Sequence, residues 1–174
     1  KPATESGYIS DVVNKISLSN PSVSFKYVNN GSLMLQTSGN NDLRAAVMHI
    51  YGKEIAKKMI PLDVKKNGYE LKGLIAPPDV ARANRTYELI FLNGRFIKND
   101  TVSSACKNRL MVGKFPFYIL ILSISPKEVD VNVHPTKLEV RFSNENFIYD
   151  FIYNAVYSTL QNNLEPLKVE LNKP

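Results

Sequence analysis

The sequence predicts an α+β fold, a mixed and largely antiparallel sheet with helices packed on it as a two-layer sandwich. Three observations predict it. Asn-Gly occurs three times between alternating apolar segments, at Asn30-Gly31, Asn67-Gly68 and Asn93-Gly94. This dipeptide closes two-residue hairpins because both residues tolerate positive φ. Residues 117–124 are apolar but for Ser123, as a strand covered on both sides requires. Segments with apolar residues at helical spacing lie before, between and after the hairpins.

Taken in order, residues 4–18 read as an amphipathic helix, with Tyr8, Ile9, Val12, Val13 and Ile16 as its apolar stripe and Thr4 or Ser6 as its cap. Asn20-Pro21 ends it. Residues 23–28 alternate, and the chain returns through 33–37 after the first Asn-Gly turn. Asp42 caps a helix whose stripe is Leu43, Ala46, Val47, Ile50 and Tyr51, and Gly52 stops or kinks it. A short continuation over 53–59 ends at Pro61; its Lys53, Lys57 and Lys58 read as a solvated face. Residues 63–66 and 69–75 make the second hairpin. After Pro77-Pro78, residues 79–85 read as a polar, mobile loop. Residues 87–92 and 95–98 make the third hairpin. Asp100 caps a helix over 101–110 with Val102, Cys106 and Leu110 facing inward. Ser143 or Asn144 caps the last helix, whose buried face is Phe147, Ile148, Phe151, Ile152, Val156 and Leu160. Residues 161–174 lose periodicity and read as a linker, which gives one domain over 1–160.

Composition removes several classes of function. No apolar run approaches the roughly 20 residues that span a bilayer, and no signal peptide is visible. The first residue is not Met, as expected for a piece of a longer polypeptide. The single cysteine, Cys106, excludes an internal disulfide and a cysteine-based zinc site. It reads as a small apolar helix residue rather than a nucleophile paired with His134. With only His49 and His134 and no HExxH spacing, metal catalysis has no support. The net charge of +6 permits contact with a polyanion without requiring it. No GxxxxGK[ST] loop is present, so the chain has no phosphate cradle of its own.

The most informative stretch is residues 128–142, EVDVNVHPTKLEVRF. Val129, Val131 and Val133 alternate with Asp130, Asn132 and His134, and Leu138, Val140 and Phe142 alternate with Lys137, Glu139 and Arg141. Pro135 interrupts the pattern. Two strand segments are therefore expected to flank a kink that presents His134, Thr136 and Lys137. Asp130 and His134, on one face, are expected to form a local hydrogen-bonding pair. A lysine at such a bend is by default a solvated charge.

Within that stretch, NVHPTKLEVRF resembles the NVHPxKxEVRF signature of the MutL family of DNA mismatch repair proteins. The resemblance places the chain as the second, transducer domain of an N-terminal GHKL-type ATPase region, with a ribosomal-protein-like fold over roughly residues 5–160. It implies that Lys137, with Thr136 beside it, contacts the γ-phosphate of ATP, and that ATP with Mg is bound mainly by a preceding ATPase domain of the same chain. The fragment alone is then expected neither to bind ATP tightly nor to hydrolyse it, whereas the intact protein resembles an ATPase, and many relatives carry an endonuclease in the C-terminal half.

The segment NGRFIKND resembles the family's NGR segment, which implies non-specific DNA contact through Arg95 and Lys98, with Lys107, Arg109 and Lys114 as secondary candidates. Asn99 and Asp100 stand where the family often has a further basic residue. The implied partners are DNA, a mismatch-recognition protein of the MutS type, and a second copy in the intact protein. The implied location is cytoplasmic for a bacterial member and nuclear for a eukaryotic one. The competing reading is a stand-alone nucleic-acid-binding module of ribosomal-protein-like fold. A small-molecule kinase is disfavoured by the missing phosphate loop.

Overall fold

Each of the three Asn-Gly pairs turns a hairpin, and each does so with both residues at positive φ: Asn30 50° and Gly31 78°, Asn67 52° and Gly68 81°, Asn93 48° and Gly94 85°. The flanking residues pair directly, Asn29 with Ser32, Lys66 with Tyr69 and Leu92 with Arg95. These are the two-residue turns whose twist suits a right-handed antiparallel ladder. A computed structural model of the chain describes residues 2–107 and 113–171. Where the sequence predicts one domain over 1–160, two compact units are found, Lys1–Met59 and Ile60–Pro174.

The first unit contains helix α1 (Pro2–Ser19), hairpin β1 (Lys26–Asn29) and β2 (Ser32–Gln36), and helices α2 (Leu43–Tyr51) and α3 (Lys53–Lys58). Thr4 and Ser6 are not caps; they lie inside α1, which is helical from Pro2. The predicted stripe of α1 is not buried either. Tyr8, Ile9, Val12 and Ile16 are exposed, Val13 is half-buried, and only Ser17 and Leu18 at its end are fully covered. Periodicity identifies an apolar face, but it cannot supply a surface to cover it. Asp42 caps α2 as expected, its carboxylate accepting the Ala45 N–H. Gly52, at φ 95°, ends α2 and starts α3.

The second unit is built on a five-stranded sheet in the order β3 (Ile60–Lys66), β4 (Tyr69–Ile75), β7 (Tyr118–Ser123), β5 (Glu88–Leu92) and β6 (Arg95–Ile97). Only β5 and β7 run parallel; the other three neighbouring pairs are antiparallel. Pro61 does not end a helix. It lies in β3, an edge strand, where a missing N–H costs least. Strand β7 is central: Ile119, Leu120 and Leu122 are fully buried, so both of its faces are covered. Helices α4 (Asp100–Lys107) and α5 (Glu145–Leu171) pack on one face of the sheet. Val102, Ala105 and Cys106 of α4 join Ile148, Phe151, Ile152 and Val156 of α5 against Leu71, Ile90, Leu120 and Leu122.

Helix α5 is capped by Asn144, which accepts the Phe147 N–H. It stays helical through Leu171, beyond the point where its apolar stripe ends and a linker was expected. Helix α4 is capped by Asn99 rather than Asp100: Asn99 Oδ1 accepts the Val102 N–H, and Asp100 is the first helical residue. The loop expected to be mobile contains two 3-10 turns, Pro78–Val80 and Arg85–Tyr87. Arg82 exchanges both backbone hydrogen bonds with Phe115, and its guanidinium lies 4.7 Å from the Tyr87 ring centre. No helix among the described residues is long and apolar enough to cross a membrane.

Gly73 allows β4 and β7 to approach. Its φ is 147°, and a Cβ there would stand 2.0 Å from the Ile119 carbonyl oxygen. Gly73→Ala is expected to lower stability by about 2–4 kcal/mol. Urea unfolding measures this, and an unchanged midpoint would show that the strands can separate without loss.

Candidate functional site

The stretch around the lysine is a stemmed loop, not two strands about a kink. Only Val129–Asp130 (β8) and Arg141–Phe142 (β9) form a ladder, and they pair with each other. The expected alternation survives at the ends, where Val140 and Phe142 are buried in the main core. It fails in the middle, because local side-chain bonds compete with the ladder. Asp130 does not reach His134; its carboxylate accepts the Asn132 N–H at 2.9 Å. His134 instead faces Thr136, with Nδ1 2.9 Å from the hydroxyl and 3.3 Å from the backbone nitrogen. The Lys137 N–H donates to the His134 carbonyl at 2.9 Å, closing a tight turn over Pro135 and Thr136.

Neighbouring elements hold the base of the loop. The Ser143 N–H donates to the Glu128 carbonyl, and the Glu128 carboxylate accepts from the Tyr69 hydroxyl. That bond, with burial, raises the Tyr69 phenol above its ordinary value. On the other side the loop is fastened to the chain leaving β6. The Lys98 N–H donates to the Leu138 carbonyl at 2.8 Å, and Asn99 Nδ2 donates to the Val140 carbonyl at 3.1 Å. The tip is free of such cover: His134, Pro135, Thr136 and Lys137 are all exposed. Lys137 has φ 56°, a left-handed conformation that costs a non-glycine residue about 1–2 kcal/mol.

The basic residues read as DNA contacts do not all share one place. Lys98 lies beside the loop through its backbone bond to Leu138. Arg95 is exposed at the start of β6, just past the Asn93-Gly94 turn. Asn93 itself extends the sheet, its side chain both donating to and accepting from the backbone of Ile124. Lys107 lies at the end of α4 with its ammonium 4.6 Å from the Phe115 ring centre. Arg109 lies outside the described residues, and Lys114 is exposed.

Cys106 is buried, and burial with the nearby Glu88 charge pushes its thiol well up, which leaves it protonated and inert. His134 lies in the exposed turn. Among the described residues no cluster of His, Cys, Asp and Glu could hold a metal ion. The residue that sequence reasoning undervalued is Asn99, whose one amide caps α4 and ties down the loop. The signal was available: Asn directly before Asp-Thr-Val is a strong helix cap.

Lys137→Gly removes the side chain at a position whose backbone suits glycine, whereas Lys137→Val puts a β-branched residue there. Stability is expected to stay within about 1 kcal/mol for the first and to fall by about 1–2 kcal/mol for the second. Equal urea midpoints for the two would contradict the left-handed assignment.

Residues 47–161 match the family model described as the DNA mismatch repair protein, C-terminal domain. The chain is 42% identical over 161 residues to the DNA mismatch repair protein MutL of Shouchella clausii, covering 90% of this chain and 25% of that protein. It is 46% identical over 160 residues to MutL of Lactococcus lactis subsp. cremoris, covering 90% and 24%. It thus spans about a quarter of the length of these relatives. Among solved structures it is similar in fold to the N-terminal domain of a DNA repair protein, with a TM-score of 0.73, 19% identity, and coverage of 90% of this chain and 54% of that one. It is likewise similar to the ATPase domain of the mismatch repair endonuclease MutL of Aquifex aeolicus, with a TM-score of 0.63, 17% identity, and coverage of 90% and 53%. With the signature loop, the five-stranded mixed sheet and this identity along nine-tenths of its length in hand, the chain belongs to the MutL family of DNA mismatch repair proteins.

Proposed function

We propose that this chain acts in mismatch repair as the transducer of a longer MutL-type protein, with Lys137 offering its ammonium to the γ-phosphate of ATP held by a preceding ATPase domain. The observation that carries this reading is the build of the loop. An exposed lysine stands at the tip of a tight turn whose base is anchored in the core and to the chain after β6. We assign the transducer role to the second unit; the division after Met59 and a family match over 47–161, most of which lies in that unit, support that assignment.

The residues fit ATP as a single contributed cation and not as a complete site. With no glycine-rich phosphate loop in the chain, the adenine, the inner phosphates and Mg fall to the ATPase domain. Bound there, ATP supplies the terminal phosphoryl group that water attacks. Lys137 counters charge on that group and helps hold it in line. A third phosphate is present only before hydrolysis, so the same contact would bias the domain arrangement by nucleotide state. The Thr136 hydroxyl, beside the lysine, serves the turn through its bond to His134. Arg95 and Lys98 are proposed to meet duplex DNA through its phosphates, without reading sequence. A mismatch-recognition partner of the MutS type and a second copy belong to the longer protein in this reading.

In a polypeptide that carries both the ATPase domain and this chain, Lys137→Ala is expected to reduce ATP turnover by about 10- to 100-fold with an unchanged circular dichroism spectrum. Unchanged turnover would overturn the role of Lys137. For DNA, the plot of log affinity against log salt is expected to become shallower by about two units in the Arg95→Ala, Lys98→Ala double variant. An unaltered slope would remove those two residues from the interface. Tight, salt-resistant binding by the isolated chain would favour a stand-alone nucleic-acid-binding module instead.

A further inference from the structure

We propose that His134 is a positioning residue for Lys137: its unprotonated Nδ1 accepts the backbone N–H and the hydroxyl of Thr136, and this holds the turn from which the lysine projects. The inference rests on the reading of Lys137 as a phosphate contact and adds the residue that aims it.

The backbone supplies the first argument. Among the described residues, five that are not glycine have positive φ, and four of them are asparagine: Asn30, Asn41, Asn67 and Asn93. Asparagine enters that region readily. The fifth is Lys137, whose side chain offers no such help, so its surroundings must impose the conformation. The nearest constraints are the three bonds of the turn. Lys137 N donates to the His134 carbonyl, Thr136 N donates to His134 Nδ1, and the Thr136 hydroxyl lies 2.9 Å from the same ring nitrogen. Pro135, between them, fixes its own φ and contributes no N–H.

Proton placement follows from the donors. A backbone N–H requires a lone pair, so Nδ1 accepts, and the hydrogen of the neutral ring sits on Nε2. The hydroxyl, 2.9 Å away, then shares that single lone pair with the N–H. This chain makes the same contact to the N–H two residues on with oxygen acceptors elsewhere: Asn40 to Asp42, Asn84 to Thr86 and Asp130 to Asn132. His134 therefore does with an imidazole what Asn or Asp does in such a turn. The chemistry makes a sharp distinction between two amides. The Oδ1 of Asn is attached where Nδ1 is, whereas the Oε1 of Gln lies one carbon further out, towards the place of Nε2.

The test uses the longer polypeptide with its ATPase domain and measures kcat/KM for ATP. His134→Gln is expected to lower it about tenfold, through a misdirected Lys137, while His134→Asn retains most of it. In a Lys137→Ala background, His134→Gln is expected to have no further effect. His134 is exposed, so neither replacement opens a core cavity, and urea midpoints verify the fold. The proposal is overturned if Asn falls as far as Gln, or if Gln is as harmful without the lysine as with it. It is overturned alone if Lys137→Ala reduces turnover and His134→Gln does not. If Lys137→Ala leaves turnover intact, the phosphate-contact reading fails and this inference fails with it.

Discussion

Two hydrogen bonds fasten the lysine loop to the chain leaving β6, and the site depends on them. One runs from the Lys98 N–H to the Leu138 carbonyl, the other from the Asn99 amide to the Val140 carbonyl. The β8–β9 ladder is only two residues per strand, too short to hold a loop in place alone. Val140 and Phe142 add burial just past the attachment. The tip can then be solvated without being undirected, because its root is fixed on a packed body. Asn99 also caps α4, so the start of that helix, the exit of β6 and the lysine loop meet at one side chain.

This arrangement brings together two segments that lie about forty residues apart. The NGRFIKN segment forms the turn after β5, then β6 and the cap of α4. The NVHPTKLEV segment forms the loop that leans on it. The lysine proposed to meet a nucleotide and the cations proposed to meet DNA therefore share one scaffold. Lys98 is the junction, with its backbone committed to the loop and its side chain exposed. Lys107 stands apart, engaged with Phe115 at the far end of α4.

The turn at the tip illustrates how a strained residue is kept. Left-handed backbone at a lysine is unfavourable in isolation, and here a proline, a threonine and a histidine surround it. Their bonds are local, within four residues, so the loop needs no partner to adopt this shape. For the proposed docking against an ATPase domain, a preformed turn means that little conformational freedom is lost.

Much of this was legible in the residues. Asn-Gly announces a turn by the φ values it tolerates, and all three turns are present with two-residue loops. The apolar run of β7 announced a strand covered twice, and Asp42, Gly52 and the face of α5 behaved as local chemistry requires. What composition and periodicity could not decide was partnership. The stripe on α1 was correctly identified as apolar, yet it lies exposed, because a helical period says nothing about the presence of a covering surface. Residues 129–142 alternate like a strand, but whether alternation becomes a ladder depends on a neighbour with free backbone groups. Here only two residues at each end pair as a ladder, and a single bridge joins Glu139 to Lys98. The family signature singles out Lys137. That its amine is exposed, that its backbone is left-handed, and that Asn99 anchors its loop were decided by tertiary structure, because each depends on atoms brought close only by folding.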